Sequence, residues 1–418
     1  MERFIVMGGN PLVGRLAVNA AKNAVLPILS CCILSDEPVL IKDCKPISDV
    51  KRMTDIIEKM GGKALYTDDT VSVDCSSISS LAIDSELTKS IRSSIFMLGP
   101  LLGRFKRAVI SYPGGCAIGS RPIDIHIDGL RKLGVVIEET SDYIVCDGKN
   151  MHSGVVKLSM PSVGATENLM MAAALTRGKT VVENAAREPE IRDLQRFINA
   201  MGGNVSGAGS SKIVIEGVER LRGGAYTPIG DRIVAGTYLV MCAACGGDIT
   251  LDNVNSDDLK AVLNALKICG CRIEEKSGSL RLVSDGKPNP VPLLRTGPFP
   301  AFPTDMQPKF CALLATASGV SLLEENIFES RFKYVSQLEN MGADIVVENR
   351  KALITGVNEL HASVISAQDL RGGAALLTAA LKADGVSTVY GTQYVDRGYY
   401  RIEQELTRLG ADIVRATQ

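Results

Sequence analysis

The segment 112–122, YPGGCAIGSRP, places a thiol, a guanidinium and three glycines within eleven residues. Gly114, Gly115 and Gly119 allow backbone angles and movement that other residues resist, as a lid over reacting groups requires. Most of the other cysteines fall in apolar periodic runs, whereas Cys116 falls in a turn, close to the cation of Arg121, which favours its thiolate. A thiol so placed can attack an electrophilic carbon or deliver a proton.

A second set of residues conflicts with the helices that carry it. Lys22, Arg92, Arg121, Arg232, Arg331, Arg371 and Arg397 stand where the hydrophobic pattern starts a helix. A cation there opposes the helix dipole, at a cost of a few tenths to ~1 kcal/mol each. A bound anion removes the conflict, because exposed helix N–H groups and basic side chains then aim at the same charge. Any one of these residues can be an exposed arginine at a loosely defined helix start. Recurrence in equivalent places favours small anionic substrates.

Equivalence here has a basis, because the chain repeats. MGGKAL at Met60, LGVVIE at Leu133, MGGNVS at Met201, CGCRIE at Cys269, MGADIV at Met341 and LGADIV at Leu409 are variants of one phrase. Their first glycines, Gly61, Gly134, Gly202, Gly270, Gly342 and Gly410, lie 68 to 73 residues apart. Arg121 and Arg397 each precede such a glycine by 13 residues, and Arg331 precedes one by 11. Each phrase reads as an amphipathic helix closed by a glycine and turning into a strand. Each unit also carries an earlier helix that is apolar all round, such as TENLMMAAALTRG, DMQPKFCALLATASG or DLRGGAALLTAALKADG, and such a helix is buried. Six α/β units most simply make two lobes of three, with segment 222–232 as the linker and a ligand cleft between the lobes.

Composition narrows the function classes. A net charge of -1 gives no reason to expect nucleic acid or an anionic membrane surface as partner. No apolar run reaches the ~20 residues of a membrane span, and the N-terminus lacks a signal-peptide pattern, so a cytoplasmic protein is expected. Eleven cysteines, an odd number, are no disulfide framework. Cys242/Cys245 and Cys269/Cys271 have spacings that can bind metal, but no histidine lies near them, and core packing is the better reading.

Long motifs then link the chain to a known family. GGNPLVGRLAVNAAKNA, PGGCAIGSRPIDIHIDGL, PSVGATEN, ENAAREPEI, PAFPTDMQ and DRGYYRIEQELTRLGAD occur in order from Phe4 to the C-terminus. The chain thereby resembles the UDP-N-acetylglucosamine 1-carboxyvinyltransferase family of enolpyruvyl transferases. The resemblance implies two inside-out α/β barrel lobes of three units each. Residues 22–229 would form the first, and 1–21 with 230–418 the second. It implies transfer of the enolpyruvyl group of phosphoenolpyruvate to the 3-hydroxyl of UDP-N-acetylglucosamine, with no metal or organic cofactor, as the first committed step of peptidoglycan synthesis. A 3-phosphoshikimate 1-carboxyvinyltransferase shares that fold and donor, but Cys116 in PGGC and the PSVGATEN run favour the sugar nucleotide. A silent sugar-nucleotide-binding relative is the rival from another class.

By motif match, Lys22, Arg121 and Arg397 are expected on the phosphate side of phosphoenolpyruvate, Arg331 and Arg371 on its carboxylate side, and Arg92 in support. Asp305 is the expected base at the sugar hydroxyl, although an acid after Thr304 also suits plain helix capping. Cys116 is the expected proton donor or adduct-forming thiol, alkylated by the epoxide fosfomycin. Asp369 is expected in proton transfer or in ordering the surroundings of Cys116. Asn23 and Phe328 join the substrate contacts. Arg121, Pro122, Ile123, Asp124 and His126, with Ser162, Val163 and Gly164, are expected to hold uridine and diphosphate. Met160 departs from the pattern, since many relatives carry a lysine there; Lys157 or the helix start at Ser162 can compensate.

Overall fold

A computed structural model describes residues 2–83, 85–114, 118–119 and 122–417. Cys116 and Arg121 lie outside the described residues. The chain divides into two compact units. One consists of the chain up to Asn19 and from Gly230 onward, with Ile118 and Gly119; the other runs from Ala20 to Ile229 apart from that short piece.

In the first unit the three apolar helices pack on one another: Arg232–Cys245, Gln307–Leu314 and Leu370–Lys382. Alanine, glycine and small polar side chains let them approach closely, and almost every residue in them is buried. Three sheets cover these helices. Glu2–Met7 lies between Val386–Tyr390 and Asp412–Thr417, antiparallel to both, with Ile5 opposite Thr388 and Val414. Val364–Ser366 completes that sheet in parallel with Val386–Tyr390. Leu12–Ala17 runs parallel to Gly247–Asp252 at the edge of a second sheet, and Val320–Glu324 sits inside a third. The strands alternate between a buried face, which in Glu2–Met7 holds Phe4 and Val6, and a more exposed one.

The second unit repeats the plan. Lys22–Cys31, Leu98–Phe105 with the 3-10 turn Arg92–Met97 before it, and Val163–Ala174 form its interior. Two four-stranded sheets and the three-stranded sheet of Arg107–Ser111, Tyr143–Asp147 and Val136–Glu139 cover it. Six separate sheets thus match six sequence repeats, with helices inside and sheets outside; among the described residues no sheet closes into one barrel. All six repeat glycines have positive φ, between 83° and 103°. Only glycine takes that conformation without strain, which is why the phrase recurs at each helix end.

The segment 222–232 carries more structure than a linker needs, because Gly224–Tyr226 pairs in parallel with Val39–Ile41. No helix among the described residues is long and apolar enough to cross a membrane.

Candidate active site

In the first unit the expected anion-binding residues converge on one carboxylate. Asp305 precedes the helix Gln307–Leu314 and is partly exposed. Its Oδ1 takes Nη2 of Arg331 at 2.9 Å; its Oδ2 takes Nη2 of Arg371 at 2.8 Å and Nε at 3.0 Å. The arginine side chains are 1% and 5% exposed against 26% for the aspartate, so solvent reaches this cluster through the carboxylate. Arg331 also donates to the carbonyl of Thr304 at 3.1 Å, and its guanidinium carbon lies 5.6 Å from the centre of the Phe328 ring. The capping role that suits an acid after Thr304 gives way to this double ion pair.

Two expected helix starts are turns instead. Arg331 lies four residues before the helix Val335–Glu339, and Arg397 follows Thr392–Val395 in a turn. The second helix of those units is short, five and seven residues, so counting back from the glycine overshoots. Arg371 is the second residue of Leu370–Lys382, and Lys22, Arg92 and Arg232 each open a helix or 3-10 turn. Asp369 is the N-cap of Leu370–Lys382: one carboxylate oxygen accepts from the N–H groups of Arg371 and Gly372, both at 3.0 Å. That cap fixes the helix turn from which the Arg371 side chain springs.

Sequence reasoning missed the polar groups that support this cluster. Glu325 is buried and takes Thr296 Oγ1 at 3.0 Å, Thr304 Oγ1 at 2.9 Å and the N–H groups of Ile327 and Phe328 at 2.8 and 3.1 Å. It joins the loop before Asp305 to the turn before Arg331. Thr237 donates to the carbonyl of Ile233, so the Tyr399 hydroxyl 2.8 Å away is the donor to Thr237. Asp231 caps Arg232–Cys245 through the N–H groups of Ile233 and Val234. Lys309, wholly buried, donates Nζ to the carbonyl of Asp305. A lysine in a helix that is otherwise apolar after Gln307 was the available signal.

In the second unit Lys22 opens its helix with Nζ 3.1 Å from Asp49 Oδ2, and Asn23 follows it, half-buried. Arg92 opens the 3-10 turn. Pro122 and Ile123 lead into Asp124–Lys132, which Asp124 begins and which carries His126 on its buried side. Ser162 caps Val163–Ala174, its Oγ accepting from Ala165 N at 3.4 Å. Gly164 lies against His126: a Cβ there would stand 2.9 Å from the imidazole Cε1. Met160 is exposed, and Lys157 ends the strand Val155–Lys157.

Asn168 organises this corner. Its carbonyl oxygen accepts Gly99 N–H at 2.8 Å, so its amide nitrogen is the donor, to Ile95 O at 2.9 Å and His126 Nδ1 at 2.8 Å. Nδ1 of His126 is therefore an acceptor, and the ring proton sits on Nε2. Two turns of one helix thus join Ser162, Gly164 and His126 around a helix N-terminus, a geometry suited to a phosphate. Glu167, next to Asn168, is buried with neither carboxylate oxygen hydrogen-bonded to a described residue. Burial first, then the charges of Glu190 and Glu188, push its pKa well above the ordinary 4.5.

The ten described cysteines are unpaired thiols. Burial pushes Cys44, Cys75, Cys146, Cys242, Cys245, Cys269 and Cys311 up to about 12 and Cys271 to about 11, so they stay protonated and unreactive at neutral pH. No group of metal-ligating side chains occurs among the described residues.

Comparison with known proteins adds an independent view of these elements. A family model described as EPSP synthase (3-phosphoshikimate 1-carboxyvinyltransferase) matches residues 6–406. The UDP-N-acetylglucosamine 1-carboxyvinyltransferase 2 of Caldanaerobacter subterraneus is 45% identical over 415 residues, covering 99% of this chain and 100% of that protein. The UDP-N-acetylglucosamine 1-carboxyvinyltransferase of Halorhodospira halophila is 44% identical, covering 99% of each. Among solved structures, the enolpyruvyl transferase NikO from Streptomyces tendae superposes with a TM-score of 0.89 at 24% identity, over 100% of this chain and 99% of that one. An EPSP synthase from Acinetobacter baumannii superposes at 0.76 with 19% identity over the whole of both chains, a likeness of fold alone.

Proposed function

The chain belongs to the enolpyruvyl transferase family, and from that premise we propose that it transfers the enolpyruvyl group of phosphoenolpyruvate to the 3-hydroxyl of UDP-N-acetylglucosamine, releasing phosphate. The observation that carries this choice of acceptor is identity of 44–45% along the full length of relatives bearing that activity in their names. The 3-phosphoshikimate enzyme is the weaker reading, since the solved EPSP synthase is only 19% identical. The reaction belongs to peptidoglycan synthesis in the cytoplasm.

Asp305 receives the proton of the 3-hydroxyl as its oxygen bonds to C2 of phosphoenolpyruvate, while the methylene carbon takes a proton from Cys116. The tetrahedral ketal then returns a methyl proton to the Cys116 thiolate as its C–O bond to phosphate breaks, restoring the double bond and expelling phosphate. An oxocarbenium-like centre needs its phosphate and carboxylate held still by fixed cations. Arg331 and Arg371, already rigid and desolvated against Asp305, suit the carboxylate; Lys22, Arg121 and Arg397 suit the phosphate, with Arg92 in support. Asn23 and Phe328 border the reacting groups, and Asp369 holds the helix of Arg371. The neutral His126, Ser162, Val163 and Gly164, with Pro122, Ile123 and Asp124, suit uridine and diphosphate.

Proton NMR of the product tests the reading. Two vinyl protons and a shifted ring H3, as an enol ether on O3 of the N-acetylglucosamine ring requires, support it; an unchanged sugar nucleotide after phosphate release contradicts it.

A further inference from the structure

Lys309 has no place in the chemistry above, yet it is buried beneath the residue on which that chemistry turns. It is wholly buried in the first turn of Gln307–Leu314, and the helix positions that follow it are apolar. Its side chain runs back toward the helix N-terminus, as helical side chains do, and ends on the carbonyl oxygen of Asp305. The groups whose charges act on its amine come from every packed element: Asp305 before its own helix, Arg331 in the preceding turn of Val335–Glu339, Arg371 on Leu370–Lys382 and Asp231 at the head of Arg232–Cys245. Burial, then the field of Arg371, pushes its pKa well below the usual 10.5.

Resting on the function proposed above, we propose that Lys309 is a positioning residue for Asp305, a buried donor that pins the backbone of Asp305 so that its carboxylate stays between Arg331 and Arg371. Two arginines already occupy both oxygens of that carboxylate. A donor bonded to the backbone carbonyl fixes the residue without taking up either carboxylate oxygen. The helix geometry explains why a long side chain is needed: the anchor point lies four residues back, outside the helix.

Four proteins test this: wild type, Lys309→Met, Lys309→Gln and Lys309→Arg, each assayed for kcat and KM across pH. Lys309→Met keeps the volume and loses the donor, so kcat should fall about 10- to 100-fold, as for a misplaced reacting group, while KM for UDP-N-acetylglucosamine changes little. Lys309→Gln, a neutral donor, should recover much of the loss. Lys309→Arg brings a larger planar head into a wholly buried place and should recover less than Lys309→Gln. Melting curves confirm that each variant is folded. Titration of the 13C-labelled Asp305 carboxyl in unliganded protein gives a readout without turnover, and it should shift in Lys309→Met and Lys309→Arg. An active wild type with kcat, pH profile and carboxyl titration unmoved by all three changes overturns the role of Lys309. A wild type that releases no phosphate overturns the proposed reaction instead, and the carboxyl titration still decides whether Lys309 controls Asp305.

Discussion

Arg371 meets Asp305 through two nitrogens on one oxygen, Nη2 at 2.8 Å and Nε at 3.0 Å, which leaves the other oxygen of the carboxylate to Arg331. Burial works against the Arg371 charge, but Asp305 above all outweighs it, and its pKa moves up. In the proposed reaction this arrangement serves as a base held from behind. Its cations are desolvated and fixed, while the carboxylate itself faces solvent, where a hydroxyl can reach it.

Removing that carboxylate strands two buried guanidiniums. Asp305→Ala should lose about 3 kcal/mol of stability in denaturant unfolding, the scale for breaking a buried pair by deleting one partner. Its kcat should fall by about 10²- to 10⁴-fold, the usual contribution of a positioned base. Unfolding at the wild-type midpoint would show that the pairs are energetically idle.

Arg331→Lys keeps a charge but cannot bond Thr304 O and Asp305 Oδ1 together from one planar group. Losing a charge-assisted hydrogen bond is worth about 1.5–3 kcal/mol, so KM for phosphoenolpyruvate should rise about 10- to 100-fold. KM for UDP-N-acetylglucosamine should stay within a few-fold. Steady-state kinetics with each substrate varied separates the two, and an equal rise in both would argue against a carboxylate contact.

The fold was legible for a physical reason. Each unit must end its outer helix at positive φ, so glycine recurs there, and each must bury one helix completely, so apolar runs with small residues recur before it. The site was legible only in part. Lys22 and Arg371 showed themselves as cations against a helix dipole. Arg331 was seen too, although it lies in a turn. That Arg331 and Arg371 grip the same carboxylate was not readable, because they lie 26 and 66 residues from Asp305 and only packing brings them together. Glu325 and Asn168 were missed because half or more of their partners are backbone atoms, and backbone partners leave no trace in residue type.

Asn168→Ala removes the acceptor of Gly99 N–H and the donor to His126. A buried donor left unsatisfied costs about 1–3 kcal/mol. Calorimetry should also show weaker binding of UDP-N-acetylglucosamine, because the His126 ring loses the bond that fixes its tautomer. Unchanged affinity would detach His126 from the nucleotide.

Glu167 supplies a pH signature. Its folded pKa lies above the unfolded value near 4.5, so the folded protein holds a proton that the unfolded chain releases. The stability it contributes is complete below that unfolded value and is lost as pH rises toward the folded one, with a slope of at most about 1.4 kcal/mol per pH unit. Glu167→Gln should flatten this decline, gaining stability relative to wild type at pH 8 but not at pH 4. Parallel stability curves for the two proteins would contradict it.

Buried thiols with raised pKa leave one cysteine for electrophiles. Fosfomycin should add a single adduct, located at Cys116 by peptide mapping, and none to Cys116→Asp. That variant should keep turnover, because a carboxylic acid can also deliver a proton. Adducts on the other ten, or none with UDP-N-acetylglucosamine present, would count against the assignment.

Phosphate release from phosphoenolpyruvate by the purified wild-type protein, followed with UDP-N-acetylglucosamine, with shikimate 3-phosphate and with no acceptor, is the most direct test. The account predicts turnover with the sugar nucleotide alone. Release with shikimate 3-phosphate alone, or with neither acceptor, would contradict it.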